Sequence, residues 1–290
     1  MCWLAALSAA ALAASPAALP RLIASQYAQV NAEPSAREVA TRVAALIDEA
    51  VPRIAPLVGT RDLRPIPTFV YLDRAEFEAA APMAAHSPVV GVASYPPGVI
   101  HIDGSGRLAS IEKVVPHEVA HVMVGRAMGP ALSALPTWVN EGVAEYAAGK
   151  RASQVDPVTL QAVGRGESLP LSELDRSFER GGAGRSLAYA EAASVVNFLV
   201  AARGPRVIAE LLSVTRRQGD FESAEKQVTG WSSQELESAW RRSVARRWRW
   251  PLLLGSPAVP FGLMLLIFIV GYLRYRRERR RRQEMEERDW

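Results

Sequence analysis

The chain has 290 residues, a length that suits one core domain with appended segments. With 49% apolar and 22% charged residues, most of it is expected to be globular. The net charge of +4 lies mostly in residues 274–290, which hold eight Arg and five Asp or Glu, so the composition excludes a nucleic-acid-binding surface. The single cysteine, Cys2, excludes an internal disulfide and a cysteine-based zinc site.

Residues 1–20, "MCWLAALSAAALAASPAALP", are apolar and small and carry no charge. Their length and the small residues around Ser15 and Ala17 predict a secretory signal peptide. No Lys or Arg precedes the apolar run, so a disordered alanine-rich tail is the alternative.

The second apolar segment, residues 252–273, contains 22 residues without a charge. At ~1.5 Å per helical residue it would extend about 33 Å, enough for a hydrocarbon core of about 30 Å. Trp248, Trp250, Tyr272 and Tyr275 flank it as an aromatic belt would. The segment predicts a transmembrane helix, with a buried core helix as the alternative.

The sequence "RYRRERRRR" follows this segment directly and opens a basic tail, residues 274–290. The positive-inside rule places such a cluster in the cytoplasm, and the preceding domain on the other side of the membrane. We therefore expect a single-pass cell-membrane protein with an extracytoplasmic main domain over residues 21–249. That domain would be periplasmic in a cell with two membranes. The alternative is a cytoplasmic protein without an anchor.

Between the two ends the pattern predicts a few strands followed mostly by helices, an α+β domain. Ser35 and Glu38 form a capping box before a helix from about 36 to 50 or beyond, and Asp73 caps a short helix. The predicted strands are 67–72, "VVGVASY" and "VIHID". The later predicted helices cover 136–149, 186–204, 205–217 and 232–249, and Ser232 with Glu235 forms a second capping box.

The stretch "VVPHEVAHVMVG" carries the motif H-E-x-x-H as His117, Glu118 and His121. Residues four apart share one helix face, so the two imidazoles can bind one ion at Zn–N distances of about 2.0–2.1 Å. Glu118 projects about 100° round the helix, where it can take a proton from a water on the metal. Pro116 leaves the start of this helix open, near Ser110 or near Pro116 itself.

A catalytic zinc site needs a third protein ligand, and "WVNEGVAEY" offers Glu141 and Glu145 on one helix face. H-E-x-x-H followed some twenty residues later by this sequence resembles the gluzincin metallopeptidases. It is most similar to the small bacterial peptidase-MA-like domains, whose fold is thermolysin-like. The resemblance covers about residues 35–249.

The resemblance implies a Zn²⁺ ion held by His117, His121 and Glu141, with Glu118 as general base. It also implies that Glu145 accepts a hydrogen bond from a ligating imidazole. A strand edge, here Gly91, Val92 and Ala93, would hold the substrate backbone. A downstream tyrosine would steady the oxyanion, and Tyr189 is the candidate, with Tyr146 as the second choice.

The sequence thus predicts a membrane-anchored zinc metallopeptidase that hydrolyses peptides or extended protein segments. The alternative, from another class, is a non-proteolytic module on a gluzincin scaffold that captures peptides or serves envelope assembly.

Overall fold

The computed structural model describes residues 19–84, 89–106, 108–149, 157–179, 182–255 and 258–286. It is an α+β structure with a five-stranded mixed sheet and eleven α-helices in these residues. The strands are β1 (Arg21–Ala24), β2 (Ala28–Asn31), β3 (Ile66–Tyr71), β4 (Gly91–Ser94) and β5 (Val99–Asp103). The helices are α1 (Arg37–Val58), α2 (Arg74–Ala80), α3 (Leu108–Met128), α4 (Thr137–Ala147), α5 (Pro157–Arg165), α6 (Leu171–Glu179), α7 (Gly182–Arg203), α8 (Val207–Gln218), α9 (Phe221–Thr229), α10 (Ser233–Gly255) and α11 (Ala258–Glu286). The predicted fold class, α+β with a small mixed sheet, is confirmed.

The strands lie in the order β1-β2-β3-β5-β4. The three central strands, β2, β3 and β5, are parallel, and each outer strand is antiparallel to its neighbour. Parallel strands need a helical crossover, which α1 supplies between β2 and β3. The strand β4, whose sequence was predicted as part of "VVGVASY", forms one edge of the sheet.

One face of the sheet is covered by α1 and α3, which pack against each other. Alternate strand residues point toward these helices and are fully buried, for example Val30, Ile66 and Ile102. The helix α1 continues through Pro52 to Gly59, because its apolar residues keep the helical period to Val58. The core of the sheet therefore holds α3 in place along its apolar side.

The helices α4, α5, α6 and α8 pack around α7. The stretch before α7 lay outside the predicted helices, and α5 and α6 lie there. Of the predicted caps, Asp73 accepts hydrogen bonds from the backbone N–H groups of Ala75 and Glu76, and Ser232 with Glu235 forms the predicted box. The box at Ser35 does not form, because Ser35 lies in a 3₁₀ turn and α1 begins after Ala36 without a side-chain cap.

The predicted transmembrane helix over residues 252–273 is wrong. The described residues of this segment belong to α10, up to Gly255, and to α11, from Ala258. In the part of the chain that the structure describes, no helix is long and apolar enough to span a bilayer. The single-pass topology, with an extracytoplasmic domain and a cytoplasmic tail, depended on this helix and falls with it.

The chain forms two compact units, residues 1–241 and 242–290. The first unit contains the sheet and the motif helix. The predicted signal peptide lies outside the described residues, apart from residues 19 and 20, and stays a prediction, as do the domain boundaries at 21 and 249.

Candidate metal centre

The helix α3 carries both motif histidines on one face. It begins at Leu108, so Pro116 lies inside it, and the helix continues past the proline to Met128. Val115, Val119 and Val122 are fully buried. The side chains of His117 and His121 keep 16% and 15% of their surface exposed and meet with their Nε2 atoms 3.0 Å apart. Apolar packing on the other sides of the helix thus leaves one polar face for an ion.

The helix α4 brings Glu141 to the two histidines. Trp138 and Val139, which precede Glu141, are buried in the core, so the orientation of the helix is fixed. Gly142 lies against α7 so closely that a Cβ atom there would be 2.6 Å from the carbonyl oxygen of Ala192. This close approach fixes the position of α4, and with it the distance from Glu141 to the histidines.

The amino end of α4 is capped from a different helix. Asp175 on α6 accepts hydrogen bonds from the backbone N–H groups of Thr137 and Trp138, at 3.1 Å and 2.9 Å. A carboxylate at a helix N-terminus satisfies free donors and opposes the positive end of the helix dipole. No local sequence pattern identifies Asp175 as a cap, because it lies 38 residues from Thr137, whose N–H donates to it.

The three side chains form a triangle of ligand atoms. Oε2 of Glu141 lies 3.5 Å from Nε2 of His117 and 3.5 Å from Nε2 of His121. Ligands about 2.0–2.1 Å from a tetrahedral zinc ion are roughly 3.3 Å apart, close to these separations. Oε2 of Glu141 is buried and has no hydrogen-bond partner in the described residues, which a buried carboxylate oxygen rarely lacks. The residues therefore fit a divalent metal ion.

The electrostatics of the cluster favour a positive charge at its centre. Burial alone would lower the pKa of His121, but Glu141, Glu118 and Asn140 outweigh it and raise that pKa to about 9. Burial opposes the charge on Glu141 as well, yet the two histidines hold its pKa well below the usual value. The carboxylates around His121 therefore favour its cationic form.

Two polar side chains on α4 orient the imidazoles. Nδ1 of His121 lies 3.1 Å from Oδ1 of Asn140, and Nδ1 of His117 lies 3.7 Å from Oε1 of Glu145. When Asn140 accepts a hydrogen bond from Nδ1–H, the other ring nitrogen, Nε2, is left with a free lone pair. Asn140 was missed in the sequence, although it directly precedes Glu141.

Glu118 lies beside the triangle rather than in it. Its side chain is only 7% exposed, and it packs under the edge strand β4. A Cβ atom on Gly91 would be 3.0 Å from Cγ of Glu118 and 2.4 Å from Cγ1 of Val114. The glycine therefore lets the strand lie directly over the carboxylate.

Tyr189 reaches the cluster from α7. Its ring centroid lies 6.3 Å from that of His117, and the ring packs edge-on against Phe178 at 5.0 Å. Burial, together with Glu141 and Glu118, raises the pKa of its hydroxyl, so the group stays protonated. The second candidate, Tyr146, lies on α4, and none of the hydrogen bonds or ring contacts that the structure describes joins it to the histidines.

The strand β4 presents an open edge next to Glu118. Hydrogen-bonded pairs alternate along an antiparallel ladder, and the N–H of Asp103 donates to the carbonyl of Val90 at 2.8 Å. The backbone groups of Val92 therefore face β5 as well. Those of Gly91 and Ala93 point away from β5, with Gly91 buried and Ala93 partly exposed.

A helix with H-E-x-x-H packed on a mixed sheet, with a carboxylate from a second helix, defines a zincin-like domain. The family model of the Peptidase MA superfamily matches residues 46–246, which is more than half of the chain, so the protein belongs to that superfamily. Membership indicates a peptidase, a hydrolase with peptide or protein substrates. A comparison with curated proteins found no match.

Proposed function

We propose that this protein is a zinc-dependent metallopeptidase of the gluzincin type. The observation that carries the proposal is the triangle of His117, His121 and Glu141, with its buried, unpartnered carboxylate oxygen. Nitrogen and carboxylate ligands in this number are typical of catalytic zinc, which keeps a fourth position open. Superfamily membership supports peptide hydrolysis as the reaction.

The other roles in the reaction belong to side chains of the protein itself. Bound zinc supplies Lewis acidity, which polarises a carbonyl group and lowers the pKa of a water molecule. Glu118 accepts the proton of the attacking water and later donates it to the leaving amine. Asn140 and Glu145 hold the tautomer and orientation of the two imidazoles. The protonated hydroxyl of Tyr189 donates a hydrogen bond to the oxyanion.

The substrate binds as an extended peptide along β4. The free backbone groups of Gly91 and Ala93 pair with it by β-augmentation, while Glu118 lies below the strand. Backbone hydrogen bonds do not depend on the substrate's side chains, so binding along β4 requires only that the substrate segment be extended.

The test combines metal content with peptide cleavage in the full chain. We expect about one zinc per chain in the wild type, a loss of most of it in His121→Ala, and retention in Glu118→Gln. Cleavage of a broad peptide library should fall in Glu118→Gln by about 10²–10⁴-fold, the usual contribution of a general base.

The outcomes separate the proposal from its alternative. A wild type that binds no zinc contradicts the metal site and the enzyme together. Zinc binding without cleavage of any library peptide, but with peptide binding, would identify a non-proteolytic peptide-binding module instead.

A further inference from the structure

Arg74 occupies a position that helices disfavour for a cation. It is the first residue of α2, directly after the N-cap Asp73. The N-terminal end of a helix carries a partial positive charge, so an arginine there needs compensation from elsewhere. Its side chain is 33% exposed, and the guanidinium is held by hydrogen bonds to the protein.

The guanidinium of Arg74 joins four parts of the chain. Nε donates to Oε1 of Glu78 at 2.7 Å, one turn along α2. Nη1 donates to Oδ2 of Asp103 at 2.9 Å and to the carbonyl of Val89 at 2.6 Å, and Nη2 donates to the carbonyl of Ala84 at 3.2 Å. Two of these acceptors, Val89 and Ala84, belong to the chain that leads into β4.

Asp103 is itself held in place, which strengthens its ion pair with Arg74. It ends β5, its side chain is 8% exposed, and its other oxygen accepts hydrogen bonds from the backbone N–H and hydroxyl of Ser105. Burial opposes the charge, but Ser105 and Arg74 outweigh it and lower the pKa of Asp103. Charge-assisted hydrogen bonds that are partly shielded from water are stronger than those on the surface.

The strand β4 is otherwise held by its pairing with β5 and its packing against α3. It is four residues long, and among the described strands it pairs on one side, with β5. Short edge strands of this kind open easily, because half of their backbone groups lack a partner in the sheet. Arg74 fixes the backbone two residues before Gly91, so it controls the end of β4 that lies over Glu118.

We propose that Arg74 is a positioning residue for substrate binding. It holds the start of β4 in the position in which an extended peptide pairs with Gly91 and Ala93 above Glu118. The inference rests on the proposed function, since it assigns a task to the strand that holds the substrate. None of the described contacts of Arg74 involves the metal ligands or Glu118, so it acts on substrate affinity rather than on the chemical step.

The experiment compares Arg74→Met, Arg74→Lys and the wild type in the full chain. Arg42→Met is the matched control, because Arg42 also pairs with a glutamate, Glu112, but both side chains are 47% exposed. Hydrogen exchange of residues 89–95, zinc affinity, KM and kcat are measured for each. Arg74→Lys keeps a charge for Asp103 but loses the planar fork, so it retains a folded chain should Arg74→Met fail to fold.

We expect amide exchange in residues 89–95 to accelerate about tenfold in Arg74→Met, with α3 unchanged. KM for an extended peptide should rise about five- to tenfold, kcat should stay within about twofold, and zinc affinity should not change. Arg74→Lys should lie between wild type and Arg74→Met, and Arg42→Met should match the wild type.

Unchanged exchange at residues 89–95 in Arg74→Met or, if that variant does not fold, in Arg74→Lys would overturn the inference. A loss of activity that follows a loss of zinc or of kcat would also overturn it. A wild type that binds zinc but cleaves no peptide contradicts the proposed function. In that case the exchange rates and peptide affinity of the same variants decide the role of Arg74.

Discussion

The two ring nitrogens of His121 have different tasks. Nε2 faces His117 and Glu141, and Nδ1 faces the amide oxygen of Asn140 at 3.1 Å. A neutral imidazole carries one proton, so the partner of Nδ1 decides whether Nε2 can bind a metal. At the scale of single residues, metal affinity in the proposed zinc site therefore depends on Asn140, which lies outside the triangle of ligand atoms.

Asn140→Ala should weaken zinc binding by about 10–100-fold, the usual effect of losing a partner that orients a ligand. Asn140→Asp keeps an acceptor for Nδ1–H and should bind zinc at least as well as the wild type. Competition with a chelator measures both affinities, and Asn31→Ala, in the distant strand β2, serves as the control. Wild-type zinc affinity in Asn140→Ala would contradict this role.

At the scale of secondary-structure elements, the site depends on how closely α4 approaches α7. Glu141 is fixed by the helix that carries it, and that helix touches α7 at Gly142 without room for a side chain. A side-chain atom added at such a contact has no space to move into, because the interior is densely packed. The helix backbone shifts instead.

Gly142→Ala should destabilise the fold by about 1–3 kcal/mol and displace Glu141 from the histidines. The measurements are urea unfolding and zinc affinity, which should fall together. Gly184→Ala is the matched control, since it lies in α7 with nothing within 4 Å of an added Cβ. There alanine should be neutral or should stabilise the helix by roughly 0.5–1 kcal/mol. Normal zinc affinity in Gly142→Ala would show that the contact does not place Glu141.

At the scale of the whole molecule, Glu191 joins distant parts of the chain through α7. It is fully buried and accepts a hydrogen bond from the N–H of Leu169 at 3.0 Å, while Arg241 on α10 donates to the carbonyls of Ser168 and Leu169. Burial, opposed by Leu169 and Arg241, raises the pKa of Glu191 to about 7. The fold therefore favours the protonated acid.

The sign of the resulting pH dependence follows from linkage. The folded chain holds this proton more tightly than the unfolded chain does, so Glu191 contributes stability that is fully present below about pH 4.5 and lost as the pH rises through about 7. Glu191→Gln cannot ionise, so at pH 8 it should be more stable than the wild type by roughly 1–3 kcal/mol, with little difference at pH 4.5.

Urea unfolding of the wild type and Glu191→Gln across pH 4.5–8 measures this effect. The exposed Glu112 provides the control variant, Glu112→Gln, which should follow the wild type at every pH. A constant difference between wild type and Glu191→Gln over this range would contradict the assignment.

Part of the metal site could be predicted from local sequence. H-E-x-x-H places two histidines on one helix face by helical geometry alone, and "WVNEGVAEY" marks a second helix with carboxylates. Asn140 and Asp175 could not be predicted in the same way. Asn140 contacts a group 19 residues away, and Asp175 contacts a group 38 residues away. Sequence periodicity contains no information about which helices pack together.

The apolar segment at residues 252–273 shows the limit of hydropathy. Its length and composition predicted one helix through a membrane, but no helix in the residues that the structure describes is long and apolar enough to span one. The strands β1 and β2 were not predicted from the sequence. Each has only four residues, too few to establish a period of two.

The sequence by itself determined the period of the helices, the strands around the turn at residues 95–98, and the two histidines that share one helix face. These features depend on neighbours a few residues apart, and local geometry decides them. Only the tertiary structure decided the distance from Glu141 to the histidines, the open side of β4 and the anchoring of that strand by Arg74. Those depend on which surfaces pack together, because a site with ångström tolerances is built where separate elements meet.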